Sequence, residues 1–287
     1  MARTSYLPRL GLRGLRRFNN VTGYTVLMVL AAIFMIPLYW MFSTALKSPQ
    51  QTFAIPPEWV PAPPQWNNFA RVFEEVPFGR FYLNTFFLAF VNIAGHLISV
   101  TLVAYGFARL RFPGRNILFL IMLSTLMIPY HVTLVPRFIL FSKLGMVNTY
   151  WPLILPAFTG SPFLIFLVRQ YMMSIPFDLD EAAYIDGANR FDVFWRIILP
   201  LTRPALMLVI VFTFIDVWND FLQPLIYLTD PDKFTVSLGL SFFQGARETN
   251  WNLLMAGSVL AMIPPLILFF FAQKQLIGGI SVEGLKG

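Results

Sequence analysis

Polar and ionisable side chains that could bind a ligand recur at helical spacing within two apolar stretches of the sequence. In the stretch Pro204 to Leu228 they recur every three or four residues, which places them on one face of a helix. An earlier stretch has Asn92, His96 and Ser99 at spacings of four and three. Such groups inside an apolar helix bind polar solutes or hydrogen-bond neighbouring helices. The face of the later stretch consists of Thr213, Asp216, Asn219, Asp220 and Gln223.

These residues do not form the arrangement of an enzyme. The apolar stretches show no Ser/His, Asp/Asp or HExxH constellation of the kinds found in intramembrane enzymes. His96 and His131 each stand without a companion metal ligand, so a buried hydrogen bond is the simpler interpretation of both. The sequence contains no GxxxxGK[ST] phosphate-binding loop and no cysteine. We therefore expect no catalytic residue, no metal site and no ATP hydrolysis by this chain itself.

The apolar stretches have the length and composition of membrane-spanning helices. Hydrophobic residues make up 57% of the 287 residues and charged residues only 12%, about half the share of a soluble domain. A helix crosses the hydrocarbon core with about 20 residues, whereas a β-barrel would alternate polar and apolar residues in segments of about 10. The sequence therefore predicts an all-α membrane protein with one domain. Its six spanning helices are predicted at residues 18–46, 81–108, 116–136, 144–168, 204–228 and 249–273.

The basic residues predict which loops face the cytoplasm. Five arginines precede the first span, and Arg109, Arg111 and Arg115 fill the turn after the second. If the spans alternate in direction, 14 basic residues lie on one side and seven on the other, and the richer side is cytoplasmic. Both termini are then cytoplasmic. The segments outside the spans are a basic N-terminus (1–20), a Pro-rich outer loop (47–80), an inner loop (173–203) and a cytoplasmic tail (276–287).

The inner loop is predicted to fold as two short helices joined at a glycine. A proline and three nearby acidic residues are typical of a helix start, and Gly187 offers an end. Because Ala182 and Ala183 are small and Gly187 has no side chain, the surface of another protein can come close to this backbone. Glu181 and Asp186 flank the patch and suit a socket with basic groups. The second helix is predicted to lie against the membrane through one apolar face, formed by Phe191, Phe194, Trp195 and Ile198.

The inner loop resembles a motif of the permease subunits of bacterial ATP-binding-cassette importers. The motif EAA, three residues, Gly, nine residues and I-x-LP fits residues 181–200 without a gap. Other blocks are similar to the maltose-importer type of inner-membrane subunit among the carbohydrate importers, a group of binding-protein-dependent transporters. These blocks are GFARLRFPGR (106–115), MIPYHVTLVP (127–136), LGMVNTYWPLIL (144–155), WNDFLQPL (218–225) and the tail GGISVEGLKG.

The resemblance implies that this chain forms half of the translocation pathway of an ATP-driven sugar importer in the bacterial inner membrane. It implies a cytoplasmic coupling helix between the fourth and fifth spans, which docks on a separate ATPase. The expected partners are a second homologous permease, an ATPase dimer that binds ATP and Mg, an extracytoplasmic solute-binding protein, the sugar and membrane lipid. Neither nucleic acid nor a cofactor in this chain is expected. The docking residues would be Glu181, Ala182, Ala183, Asp186 and Gly187.

The polar faces inside the spans have two possible roles in such a transporter: they line the substrate pathway, or they hydrogen-bond helices together. An ion-coupled secondary transporter is the alternative function, with Asp216 and Asp220 as the proton or sodium site. That alternative leaves the acidic inner loop without a role. The sugar stays open among disaccharides, longer oligosaccharides and glycerol-3-phosphate, although the predicted spans contain no arginine for a phosphate ester. The candidate pathway residues are Asn92, His96, Thr213, Asp216, Asn219, Asp220 and Gln223.

Overall fold

The computed structural model of the chain is almost wholly helical. It describes residues 10–245 and 249–281, with side chains described for 21–245 and 249–273, so residues 1–9 and 282–287 of the predicted cytoplasmic termini lie outside it. These ranges contain no β-strand, which confirms the all-α fold. In chain order the helices are α1 (Leu10–Ala45), α2 (Pro49–Thr52), α3 (Asn67–Glu75), α4 (Phe78–Arg109), α5 (Arg115–Ser124), α6 (Tyr130–Lys143), α7 (Trp151–Thr159), α8 (Pro162–Ser174), α9 (Asp178–Ile185), α10 (Arg190–Asp192), α11 (Leu199–Leu201), α12 (Arg203–Asn219), α13 (Leu222–Tyr227), α14 (Val236–Gly239) and α15 (Trp251–Ser281).

Within the described residues, four segments are long and apolar enough to cross a membrane directly, and two bent pairs bring the number to six. The four are α1 from Val21 onward, α4, α7 together with α8, and α15. The first bent pair joins the helical segment that begins with α5 to α6 at an angle of 96°. The second joins the segment from α10 to α11 with α12 at 73°. The prediction of six spans agrees with the structure when each bent pair counts as one span.

The third and fourth spans are not the straight helices that the charge-free segments predicted. The third breaks at Ile128, which is extended because the residue before a proline is disfavoured in the helical conformation. After Pro129, α6 continues to Lys143, seven residues beyond the predicted end at 136. The fourth span begins at Trp151 instead of 144, and Gly160, with φ of 86°, separates α7 from α8.

The fifth span ends earlier than the sequence predicts. Helix α12 stops at Asn219, and Asp220 is extended, with φ of −67° and ψ of 113°. The Asp220 carboxylate then accepts a hydrogen bond of 3.1 Å from the backbone N–H of Gln223, which helps to start α13. The prediction of one helical face from Thr213 to Gln223 is therefore wrong, because a break in the backbone divides that face.

Two apolar cores lie at opposite ends of the helix bundle. The inner core packs the C-terminal half of α4 against α8, the inner loop and the start of α12. The outer core packs the start of α4 against α3, the end of α12, α14 and α15. Central residues of the inner core are Val100, Val168, Val193, Ile198 and Val209. Central residues of the outer core are Val72, Phe78, Phe81, Val236 and Leu253.

Two ion pairs show which connecting segments lie at each end of the helix bundle. At the outer core, Arg80 in the first turn of α4, which follows the Pro-rich loop, pairs with Asp232 at 3.1 Å. At the inner core, Arg109 from the end of α4 lies 3.6 Å from Asp180 of α9. The basic turn after the second span and the inner loop therefore share one end of the molecule, as the alternation of the spans requires.

Candidate functional site

The first part of the inner loop is a short helix closed by a glycine turn, as the sequence predicts. Helix α9 ends in a Schellman motif, in which the N–H of Ala188 donates to the carbonyl of Ala183 at 2.9 Å. The N–H of Gly187 donates to the carbonyl of Tyr184 at 3.1 Å. Gly187 has φ of 84°, a left-handed conformation that costs other residues about 1–2 kcal/mol. The backbone of the chain itself thus requires this glycine.

A capping box starts the second helix of the loop. The Asn189 side chain accepts hydrogen bonds from the N–H groups of Phe191 (2.9 Å) and Asp192 (3.0 Å). The Asp192 carboxylate accepts one in return from the N–H of Asn189, at 3.3 Å. The backbone then forms a π-helical segment, Val193–Ile198, before the 73° bend into α12. This local chemistry makes the loop two defined helices that project from the inner end.

The four apolar residues that were predicted to share one face of the second helix do not share it. Phe194 and Ile198 are buried in the inner core. Phe191 and Trp195 are exposed, and their rings are stacked with centroids 6.4 Å apart. The π-helical segment has a longer repeat than an α-helix, so α-helical spacing does not describe which side chains align. Two residues therefore anchor the helix in the bundle, and two project from it.

Four of the five predicted docking residues are exposed, and the fifth is not. Glu181, Ala182, Asp186 and Gly187 project from α9 and its end. Ala183 is only 8% exposed and packs in the inner core. The interpretation of Ala183 as part of an exposed tip is wrong, because its small side chain instead lets α9 lie close against the bundle.

Ile185 is a prominent surface residue that the sequence analysis did not single out. Its side chain is 85% exposed, and it lies beside Asp186 and one helical turn after Glu181. The sequence did contain a signal for it, because Ile185 is an apolar residue four positions after Glu181 on the same helix. We define the docking surface as Glu181, Ala182, Ile185, Asp186 and Gly187.

A polar cavity of about 270 Å³ lies at the level between the two apolar cores. It forms where α4 and α12 face α7 and the break before α13. Backbone groups and side chains of several helices surround it, so it brings together residues that are far apart in the sequence. Five of the seven candidate pathway residues line this cavity, namely Asn92, His96, Asp216, Asp220 and Gln223.

The other two candidates, Thr213 and Asn219, lie outside the lining of this cavity. Thr213 is buried, with its hydroxyl oxygen 2.9 Å from Nδ1 of His96, and it lines an adjoining recess. Asn219 lines a different recess, beside α15. Ser99 donates to the carbonyl of Ala157 at 2.8 Å and ties α4 to α7. Polar residues in the spans thus both line a cavity and join helices.

Arg137 also lines the cavity, although the sequence analysis placed it in an outer loop. The predicted third span ended at residue 136, whereas α6 continues to Lys143 and places Arg137 in the lining of the cavity that Asp216 and Asp220 also line. The Arg137 guanidinium carbon lies 5.5 Å from the ring centre of Tyr130. The expectation that the spans contain no arginine is therefore wrong.

Comparison with known proteins identifies the family. Residues 98–281 match the binding-protein-dependent transport system inner membrane components. The chain belongs to this family. It is 37% identical over 222 residues to an arabinooligosaccharides transport system permease protein of Halalkalibacterium halodurans, covering 77% of this chain and 79% of that relative. It is 32% identical over 273 residues to an sn-glycerol-3-phosphate transport system permease protein of Yersinia enterocolitica, covering 92% and 97%.

A solved structure has the same fold. A crystal structure of a bacterial ABC transporter involved in the import of the acidic polysaccharide alginate matches with a TM-score of 0.80 and 23% identity. The match covers 94% of this chain and 99% of that one. The resemblance drawn from the inner loop is confirmed, and this permease is a transport component. Membership of a binding-protein-dependent family also favours an importer over the ion-coupled alternative.

Proposed function

We propose that this permease is one subunit of an ATP-driven sugar importer in the bacterial inner membrane and forms half of the translocation pathway. The docking surface at the tip of α9 supports the proposal most directly. It exposes Ile185 beside two carboxylates and next to Gly187, whose missing side chain lets another protein come close to the backbone. The excess of basic residues predicted at this end supports a cytoplasmic position for the docking surface and for both termini.

The partner at the docking surface is a separate ATPase pair, which binds ATP and Mg. The sequence contains no phosphate-binding loop, which supports an ATPase on a separate chain as the source of energy. Glu181 and Asp186 would face basic groups of the ATPase, and Ile185 would enter an apolar socket. Ala183 would not contact the ATPase itself. It packs α9 against the bundle, so a movement of α9 would reach the spans through this contact.

The polar cavity is the part of the pathway that this subunit supplies. Its carboxylates accept hydrogen bonds from sugar hydroxyls, and its amides both donate and accept them. The cavity has two acidic side chains, Asp216 and Asp220, and one basic side chain, Arg137, so it favours a neutral sugar over a negatively charged phosphate ester. Its volume of about 270 Å³ is below the roughly 300–1,000 Å³ of small-molecule pockets. A second homologous permease would complete the site from the other side.

The remaining partners follow from the family and the surface. An extracytoplasmic solute-binding protein would deliver the sugar at the outer end, where the Pro-rich loop lies. The span Val21–Ala45 of α1 is apolar and almost entirely exposed in the isolated chain. Lipid would cover this helix in a bilayer, because apolar helix surface of this length is stable only in a membrane.

Copurification tests the docking surface. Ile185→Glu should abolish copurification of the permease with its soluble ATPase, because a third acid replaces the apolar anchor. Ile55→Glu is the matched control, since Ile55 is at least as exposed as Ile185 and lies on the outer loop. It should leave ATPase copurification unchanged. Gradient-driven uptake by this chain alone, without any ATPase, would contradict the importer and favour the ion-coupled transporter.

A further inference from the structure

Arg109 is the last residue of α4, and its guanidinium group is buried at the junction of three elements. Its side chain is 1% exposed. The Nη2 atom donates to the carbonyl oxygens of Met172 and Ile175, both at 2.8 Å. These carbonyls lie at the C-terminal end of α8, where backbone acceptors lack helical partners and the helix dipole favours a cation. Arg109 therefore joins the end of α4 to the end of α8.

The same guanidinium group contacts the first turn of α9. Its Nη1 lies 3.6 Å from Oδ1 of Asp180, and the Asp180 side chain is 6% exposed. The ring centre of Phe177 lies 4.3 Å from the guanidinium carbon. Asp180 directly precedes Glu181 of the docking surface. The charge pair therefore sets the position of the docking surface relative to α4.

A second contact, one helical turn earlier on α4, holds the other helix of the inner loop. The Tyr105 hydroxyl donates to the carbonyl of Arg190 at 3.0 Å, and the Tyr105 ring lies 4.9 Å from that of Phe194. Tyr105 and Arg109 are four residues apart and lie on the same face of α4. One face of α4 thus holds both helices of the loop.

Stability alone does not explain a buried charge pair at this junction. Removing two charges from water is costly, and apolar residues of similar volume are often as stable or more so. Within the described residues, Nε and Nη1 of Arg109 and Oδ1 of Asp180 make no hydrogen bond. A buried charge pair can instead fix the register between two elements.

We propose that Arg109 and Asp180 are positioning residues that hold the docking helix in one orientation relative to α4 and α8. A movement of the docked helix then moves the inner ends of both spans. The inference rests on the proposed function, because it assumes that an ATPase moves α9. It adds that α9 and the end of α4 form one rigid unit in every nucleotide state.

Distance measurements between two spin labels test this rigid unit directly. This chain contains no cysteine, so cysteines introduced at Leu179 and Arg111, both exposed, would be its only labelling sites, and the partner chains would be used without reactive cysteines. In the complete importer, the labels should show one narrow distance with and without ATP. In Asp180→Asn, ATP should still be hydrolysed, but the distance should broaden and shift when ATP is added. Asp178→Asn is the matched control, because it removes an exposed charge from the same helical turn.

A merely structural role would lower the amount of assembled complex without making the label distance depend on ATP. If Asp180→Asn does not assemble, Arg109→Lys is the second variant. It keeps a buried cation but has one nitrogen in place of the guanidinium fork, which faces the carbonyls through Nη2 and Asp180 through Nη1, and it should show the same broadening. A single distance that is independent of ATP in these variants would overturn the inference, and so would an ATP-dependent distance in the unmodified complex. An unmodified complex that neither binds nor responds to an ATPase would instead refute the proposed function.

Discussion

Substitution of Gly187 separates two reasons for a glycine at the docking surface. One reason lies in the chain, because φ of 84° in the Schellman motif disfavours any residue with a Cβ. The other lies in the partner, which needs room to come close to the backbone. A Cβ built on Gly187 has no heavy atom within 4 Å, so Gly187→Ala introduces no clash inside the permease. Its internal cost is therefore the conformational cost alone.

That cost is about 1–2 kcal/mol, which corresponds to a factor of roughly 5–30 in the population of the native turn. Gly187→Ala should weaken ATPase binding by this factor if docking requires the native turn. Asn tolerates the left-handed conformation, so Gly187→Asn should restore most of the binding if only the backbone matters. If the ATPase packs directly on the glycine, the Asn variant should be as weak as the Ala variant, and Gly187→Leu weaker still.

The assay is titration of the purified permease complex with its ATPase, after a check that each variant reaches the membrane in normal amounts. Gly145→Ala is the matched control, because Gly145 has φ of 69°, has no heavy atom within 4 Å of an added Cβ, and lies outside the inner loop. It should bind the ATPase normally. Normal binding by Gly187→Ala, or an equal loss in Gly145→Ala, would refute the reasoning.

Three further substitutions test the cavity, the outer core and the buried charge pair. Asp220→Asn should leave ATPase association unchanged while sugar uptake falls, because the amide oxygen still accepts the backbone hydrogen bond that starts α13; loss of assembly would show that the charge is structural. Gly239→Ala should destabilise the complex by about 1–3 kcal/mol, measured as a lower melting temperature, because its Cβ would overlap the ring of buried Phe81. Gly79→Ala is the control, because its added Cβ has no heavy atom within 4 Å, and it should leave the melting temperature unchanged. Burial raises the pKa of Asp180 above its ordinary value, although the Arg109 charge opposes the rise. Asp180 should therefore become protonated at a higher pH than an exposed aspartate, and acidification should lower the sugar uptake per ATP hydrolysed. In Asp180→Asn, the uptake per ATP should not show this pH dependence.

The six spans could be predicted from the sequence because the exclusion of charge from the bilayer acts on each residue directly. The breaks within the spans could not be predicted, because one proline interrupts the helix and another does not. Ile128 leaves the helix because Pro129 follows it, yet α6 continues through Pro136 without a break. Pro129 and Pro136 lie seven positions apart in the sequence and have opposite outcomes.

The predictions for the candidate sites were correct where a single residue type determines the local backbone. They were wrong where the position of a residue in the folded bundle determines its burial. The glycine turn after α9 was predicted because a single residue type determines the left-handed conformation. Ala183 and Ala182 are identical and adjacent in sequence, but a rotation of 100° along the helix buries one and exposes the other. Arg137 was assigned to a loop because the predicted span ended at residue 136, whereas α6 ends at Lys143. A cavity formed by several helices leaves no local signal in the sequence.

The two cores suggest how a movement at the docking surface reaches the cavity. If the outer core, centred near residue 85 of α4, acts as the fulcrum, His96 lies about 16 Å and Arg109 about 36 Å along the helix from it, at 1.5 Å per residue. A tilt of about 10° would then move the inner end by about 6 Å and the cavity wall by about 3 Å. Because His96 contacts Thr213 of α12 at 2.9 Å, such a tilt must either carry α12 along or separate this pair. Thr213→Val, which removes the hydroxyl and keeps the shape, should therefore alter sugar uptake more than ATPase binding, and equal effects on both would place the fulcrum elsewhere.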